Sequence, residues 1–503
     1  CDIWICIDRE DFDETTLRHL SQKVNLIKDW MDSTVKIPVF FFISDIQDIR
    51  NCNFGSIDYE SCGSALNNVL REEFYRSCIL ICGKIPFWWV CFDKKKPIDY
   101  EEAWIDTTGS DEGNSDYVDL GNLQSVDRKE YFGAALWQFN KSLTHPLKSI
   151  IKMLLLKMLL ESPSDELPCH QFRRIILGEE KITDPSLFTM EAVFDYHAKL
   201  DPDTFDFIRK CFYLRYEIKL MSKKMSMKET LSADLFKRYK MNRHEIYHLN
   251  DFASWNLQEH IAFGKRIFNL LLEIYKDIDV ISMGIPSSIQ PQDLTILGRK
   301  LASCLSRKDY KIPAIHKVSE SQHRQTLILT LKGKTWQVTP ADDPATTISA
   351  NKNLIHCLAY LVWNDMYVPG LIRMMPNPTP VTMQEISNLS AKIKELFGIS
   401  DVTAIDFNNF LEEESITRML VVVSFEEEAT SKDMNDLCVI FKNNWGELFI
   451  RRFTSIDTFK AFLGRICRQG SDPEINYYIQ RNSLYYEKII ERTKRIVSDM
   501  LTG

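Results

Sequence analysis

From Glu130 to about Leu305 the apolar residues recur at helical spacing almost without interruption, and the runs that read as strand lie on either side of that stretch. Helix breaks fall at Pro163, Asp184-Pro185 and Asp201-Pro202. A chain patterned this way is expected to fold as an α/β core, then a mainly helical region, then a second α/β unit. At roughly 100–200 residues per domain, 503 residues make about three parts, expected at 1–125, 126–310 and 311–503.

The first part opens on Ile3-Trp4-Ile5-Cys6-Ile7, a short β-branched run of buried-strand type. Asp13 is placed to cap a helix whose apolar face is Leu17, Leu20, Val24, Ile27 and Met31. Val35 to Ile43 is apolar on both faces and reads as a central strand, with Pro38 an awkward member because it lacks an amide donor. A second helix is expected over Ser64 to Arg76, then strand, Gly83-Lys84 turn and strand over Cys78 to Val90. Thr107 to Asp116 is a polar, acidic loop. After Lys311, Leu327–Leu331 and Thr335–Val338 flank Lys332-Gly333-Lys334, a hairpin signature. Further strands are expected at Met419–Phe425, Leu437–Phe441 and Leu448–Phe453, and a closing helix at Leu484–Leu501.

The formal net charge is −8, which argues against binding a nucleic-acid polymer, since that grip is carried by clustered Lys and Arg. A small anionic substrate is still compatible, because it needs only a few local cations or a bound metal. Thirteen cysteines without a CxxC pair read as reduced thiols and a cytoplasmic location. The longest apolar run, Ile150 to Leu160, contains Lys152 and Lys157 and is too short to span a bilayer. The start at Cys1, without an initiator Met, reads as a fragment with sequence missing upstream.

The chemistry is expected at the strand ends. Asp2 opens the first strand and Asp45 closes the next. Carboxylates meeting at one sheet edge would repel unless a divalent ion held them. Alone, an Asp beside a strand is more often a solvated turn residue.

The opening CDIWIC resembles the second half of the S-D-x-D-I-W motif of class I adenylate cyclases. Similar blocks follow in the family's order: FFISD (41–45), Cys62-Gly63-Ser64, EEFYR (72–76), DLGNL (119–123), EYFGAALWQFNK (130–141), RKCFYL (209–214) and PQDLTILGRKL (291–301), with a weaker one at Asn443-Asn444-Trp445. The resemblance implies a nucleotidyltransferase core of polymerase-β type. It implies ATP as substrate, 3′,5′-cyclic AMP and pyrophosphate as products, and two Mg²⁺ ions (Mn²⁺ as the alternative) in a two-metal attack of the ribose 3′-hydroxyl on the α-phosphate. Carried over by motif, Asp2 is the second acid of D-x-D and Asp45 the third, both catalytic and metal-holding. Trp4 matches the motif's Trp, and Arg76 and Lys84 are the expected cations for the nucleotide. Cys1 stands at the x of D-x-D, so the first acid and the Gly-Ser turn are expected upstream, and the chain as given is expected to be one catalytic Asp short. Gly63-Ser64 follows the acids and does not replace that turn. The family also implies a regulatory protein partner.

His244-Glu245-Ile246-Tyr247-His248 satisfies H-E-x-x-H, the pattern of zinc metalloproteases, but lacks an H-x-x-G-x-x-H extension and reads as an exposed helix turn. Two rival functions stay open beside the cyclase: another nucleotidyltransferase, and a non-catalytic nucleotide-binding relative.

Overall fold

The structure, a computed structural model, describes residues 2–35, 39–54, 67–91, 98–109, 116–161, 166–178, 184–216, 220, 225–281, 291–315, 325–401, 404–427, 436–468, 472–480 and 485–501. The chain divides into two compact units, Cys1–Phe252 with Asn269–Asp293, and Ala253–Phe268 with Leu294–Gly503. The boundary expected at 125 falls inside the first unit, and that expected at 310 inside the second.

In the first unit β1 (Asp2–Ile7) pairs in parallel with β2 (Phe40–Asp45). Parallel neighbours need a crossover of a dozen residues or more, and α1 (Glu14–Thr34) supplies it. Its start is the one expected: the Asp13 carboxylate accepts the Thr16 amide at 2.7 Å. The face is less buried than its pattern suggests, with Val24 covered while Leu26 and Trp30 stay exposed.

The strand expected from Val35 begins later. Val35 caps α1 and β2 starts at Phe40, two residues past Pro38, which lies outside the described residues. Among the described residues β2 pairs only with β1, so it is not a central strand. A short helix, α2 (Ile46–Arg50), follows directly, and α3 (Asn67–Ser77) matches the second expected helix.

Cys78–Val90 departs from the hairpin reading. Ile79, Leu80 and Ile81 are exposed, and only β3 (Ile85–Pro86) is strand, parallel to β4 (Tyr117–Val118). Phe87–Val90 forms a helical turn, α4, which buries Phe87 and Trp88. An apolar run does not distinguish strand from helix; here the aromatic pair packs against Tyr100, Trp104 and Tyr75. Helix α5 (Tyr100–Thr108) takes in the start of the expected acidic loop, of which residues 110–115 lie outside the described set.

The helical stretch begins with α6 (Arg128–Lys141), α7 (Pro146–Glu161) and α8 (Pro168–Leu177). Both Asp-Pro breaks are helix starts: Asp184 and Asp201 cap α9 (Pro185–His197) and α10 (Pro202–Arg215), with Pro at the first turn where no amide is needed. α11 (Met227–Arg238) and α12 (Arg243–Asn250) each begin in a capping box. The Phe194 ring meets Phe205, Phe212, Phe236 and Tyr239 at 5.0–6.1 Å and is fully buried. α13 (Leu257–Ile281) is shared between the units. No described helix is long and apolar enough to cross a membrane.

The second unit contains α14 (Pro291–Leu305) from Leu294 onward, then the expected hairpin, β5 (Leu327–Lys332) and β6 (Thr335–Pro340). With β7 (Ser349–Asn351) and β8 (Ile372–Met374) these form a sheet ordered β7-β6-β5-β8, alongside α15 (Leu354–Trp363) and α16 (Met383–Phe397). A second sheet runs β11-β10-β9-β12, from β9 (Ile416–Val423), β10 (Leu437–Asn443), β11 (Leu448–Phe453) and β12 (Glu474–Ile479). β9 is buried on both faces. Leu420 and Val422 join the core holding α15 and α16, whereas Met419, Val421 and Val423 join one with α17 (Ile456–Arg468) and α18 (Tyr486–Leu501). The Asn443-Asn444-Trp445 block is the turn between β10 and β11, where Lys308 and Lys311 meet buried Glu447 at 2.5 and 2.9 Å.

Phe194→Ala should lower unfolding stability by about 3–5 kcal/mol, the usual loss for a buried Phe. Urea unfolding should show a reduced midpoint with an unchanged m-value.

Candidate active site

Register decides which strand-end residues meet. Asp2 sits opposite Phe40 and Ile7 opposite Asp45. The two acids therefore lie at opposite ends of the parallel pair, about 16 Å apart along the strand at ~3.3 Å per residue. The expectation that they converge on shared metal is corrected by this geometry. A residue opening one strand and a residue closing its neighbour share an edge only when the strands run antiparallel.

Asp45 has a structural task. Its carboxylate accepts the amides of Gln47 and Asp48 at 2.7 and 3.1 Å, capping α2, and that of Arg9 at 2.9 Å, holding the chain beyond β1. Among the described residues no group of three or more His, Cys, Asp or Glu is placed to hold a metal ion. The described residues thus do not fit the two-metal site that the family implies, and no step is derived through one.

The other expected residues separate. The Trp4 ring stacks on Phe74 at 4.6 Å and 16°, with Phe54 at 5.7 Å, and so packs the sheet onto α3. Arg76 is buried, with its guanidinium on Glu72 at 2.9 Å and a second donor on the Thr189 hydroxyl. Burial works against that charge, but Glu72 and Glu73 more than restore it, leaving the pKa above the usual arginine value. An arginine so engaged is a poor candidate to turn toward a phosphate. Lys84 is exposed, in the bend after Gly83 and before β3.

Two of the family-like blocks build the scaffold. In DLGNL the Asp119 carboxylate accepts the Tyr100 hydroxyl at 2.6 Å and the Gly121 amide at 2.8 Å, and pairs with Arg50 at 2.8 Å. The Tyr75 hydroxyl donates to the Gly121 carbonyl, and the Arg71 guanidinium donates to the carbonyls of Ile49, Arg50 and Asn122. In the EYFG block Glu130 accepts the amides of Asn68 and Val69 at 2.8 and 3.2 Å, a buried carboxylate at the positive end of α3.

Around Asp2 the structure gathers cations that sequence reasoning did not single out. Lys148 and Lys152 lie one turn apart on α7. Lys152 pairs with Glu73 of α3 at 2.8 Å. Desolvation would raise the pKa of that carboxylate, but Lys152 and Arg76 override it and bring it down to about 2. The Lys148 ammonium is repelled by Lys152 and Arg215 and attracted by Glu73 and Asp2. A helical period marks Lys148 and Lys152 as sharing a face, but nothing local ties that face to a residue some 150 positions earlier. Beside Lys152, Glu72, Glu73, Arg76, Tyr131 and Gln138 line a cavity of about 40 Å³. That admits water but is far below the ~300–1,000 Å³ typical of small-molecule sites.

The zinc pattern also resolves into scaffold. Glu245 accepts the Asn242 amide at 3.1 Å in the capping box of α12 and lies 3.4 Å from Lys210, while His244 and His248 are exposed. No disulfide joins the described cysteines.

Two predictions test the scaffold. Asp45→Ala should destabilise by about 1 kcal/mol, the typical loss of a helix cap, with Asp45→Asn retaining most of it; thermal unfolding reads both. Gly121 has φ +92°, and an added Cβ would lie 2.8 Å from the Arg50 carbonyl oxygen and 3.0 Å from the Arg71 guanidinium. Gly121→Ala should therefore destabilise by more than about 1 kcal/mol, and an unchanged melting temperature would contradict the packing described.

Comparison with known proteins bears on both units. A family model described as "Adenylate cyclase NT domain" matches residues 1–89, and one described as "Adenylate cyclase, class-I, second domain" matches residues 126–316. An adenylate cyclase of Salmonella typhimurium is 25% identical over 534 aligned residues, covering 94% of this chain and 61% of that protein. The adenylate cyclase of Haemophilus influenzae is 30% identical over 64% of this chain and 40% of its own length, and that of Escherichia coli K12 is 27% identical over 63% and 38%. The chain thus spans less than two thirds of the relatives it matches. No solved structure matches it.

Proposed function

The chain belongs to the class I adenylate cyclase family, and on that premise we propose that it contributes the catalytic region of an enzyme converting ATP to 3′,5′-cyclic AMP and pyrophosphate. The observation that carries this reading is the pair of adjacent family matches, which together take in more than half of the chain.

The reaction joins the ribose 3′-oxygen to the α-phosphorus, while the bond from that phosphorus to the bridging oxygen breaks and pyrophosphate leaves. The work left to the protein is to hold the two ends of one substrate in line and to offset the charge of the leaving group. Asp2, exposed at the open edge of β1, is the acid we assign to the reacting end. Asp45, capped into α2, holds the far edge of the sheet. Magnesium enters as the ion the triphosphate carries, since Mg²⁺ favours phosphate oxygens. A regulatory protein partner and a cytoplasmic setting complete the proposal.

The full-length protein that contains this chain, incubated with ATP and Mg²⁺, should release cyclic AMP and pyrophosphate in equal amounts. Label appearing on a second acceptor would mark a transferase instead, and nucleotide binding without product would overturn the catalytic reading. Asp2→Asn should lower kcat by about 100-fold, the scale seen when one group stabilising transition-state charge is lost. Its melting temperature should not move, because Asp2 is exposed.

A further inference from the structure

We infer that Lys148 and Arg215, which stand together beside Asp2, form the subsite that receives the polyphosphate chain of the nucleotide and holds pyrophosphate as it leaves. The inference rests on the cyclase reading for the identity of the nucleotide, and on the charge arrangement for everything else.

Three separate elements meet there: the start of β1 with Asp2, the first turn of α7 with Lys148, and the last residue of α10, Arg215. They are linked electrostatically, since the Lys148 ammonium is acted on by both Asp2 and Arg215. Neighbouring cations differ in kind. Arg76 is buried on Glu72 and Thr189, and Lys152 is paired with Glu73. Lys148 and Arg215 are exposed, and neither has a hydrogen bond or an ion pair among the described residues.

Two exposed cations that repel one another, with a third cation behind them, are an uncompensated charge on a chain whose net charge is −8. The nearby carboxylate of Glu73 is already taken by Lys152, which leaves the exposed acid of Asp2. A ligand bringing several negative oxygens would be favoured by both cations. An Arg fork matches two phosphate oxygens and a Lys supplies a mobile point charge. The ligand class is therefore an inorganic or nucleoside di- or triphosphate. The Lys152–Glu73 pair, one turn further along α7, steadies the helix face that presents Lys148. Lys152 is thus a positioning residue, while Lys148 and Arg215 bind.

The test uses the full-length protein with Lys148→Ala, Arg215→Ala, the double variant and Lys148→Arg. Calorimetry reads the binding of inorganic tripolyphosphate and of adenosine, and assays with ATP read KM and kcat. Each single alanine variant should weaken tripolyphosphate binding by about ten-fold, the scale of one charge-assisted hydrogen bond. The double variant should weaken it further, adenosine binding should be unchanged, and Lys148→Arg should recover most of the loss. Both side chains are exposed, so melting temperatures should match the parent protein. Tripolyphosphate binding at parental strength in the double variant would overturn the subsite, even if the parent protein makes cyclic AMP. If the parent makes none, yet binds tripolyphosphate in a way the variants lose, the subsite stands and the cyclase reading falls.

Discussion

Parallel pairing of β1 with β2 determines which end of the small sheet can carry chemistry. In a parallel pair the strand starts share one edge and the strand ends share the other, so Asp2 and Asp45 are separated by the whole length of the strands. The two acids then take different surroundings. At the far edge Asp45 is saturated by three backbone amides. At the near edge Asp2 is exposed and faces cations borne on helices. A carboxylate whose lone pairs are occupied by amides is held in one geometry and withdrawn from solvent chemistry, whereas one left open keeps its capacity for a ligand or an ion.

That near edge depends on α3 being held in place, and α3 is held by buried polar groups more than by apolar packing alone. Glu130 saturates its first amides, Arg71 ties it to carbonyls of the α2 end and of the Asp119 segment, and Tyr75 reaches the Gly121 carbonyl. Each of these groups is costly when buried without a partner. The arrangement is therefore satisfied as a whole or not at all, which makes it specific about geometry. Glu72, Glu73 and Arg76 follow on the same helix and extend the network to α7 and α9.

Sequence legibility followed the range of the forces involved. Asp13, Asp184-Pro185 and Asp201-Pro202 could be read as helix starts because a cap is made with amides two or three residues away. The β5–β6 hairpin was visible in Lys332-Gly333-Lys334 for the same reason, and β11 came out at Leu448–Phe453 as expected. Cys78–Val90 was misread because its apolar run says nothing about which residues find a core; Phe87 and Trp88 did and Ile79–Ile81 did not. The site was legible only in part. The motif pointed to Asp2, but parallel register is a tertiary property, and so is the Arg76–Thr189 contact across 113 positions. The pairing of Lys148 with Asp2 across the fold had no local sign at all.

An acidic chain that handles a triphosphate presents no contradiction once charge is considered locally. Net charge governs long-range attraction and solubility, and at physiological salt it is screened beyond about 8 Å. Within that range the relevant quantity is the sum over a handful of side chains. At Asp2 that sum is positive: among the groups named there, Glu72 and Glu73 are matched by Arg76 and Lys152, leaving Lys148 and Arg215 against one carboxylate. The same reasoning explains why Arg76, although in the family-like block nearest the acids, stands behind the site. Its charge is spent on Glu72 and Thr189, and what it offers to the front is the orientation of α3.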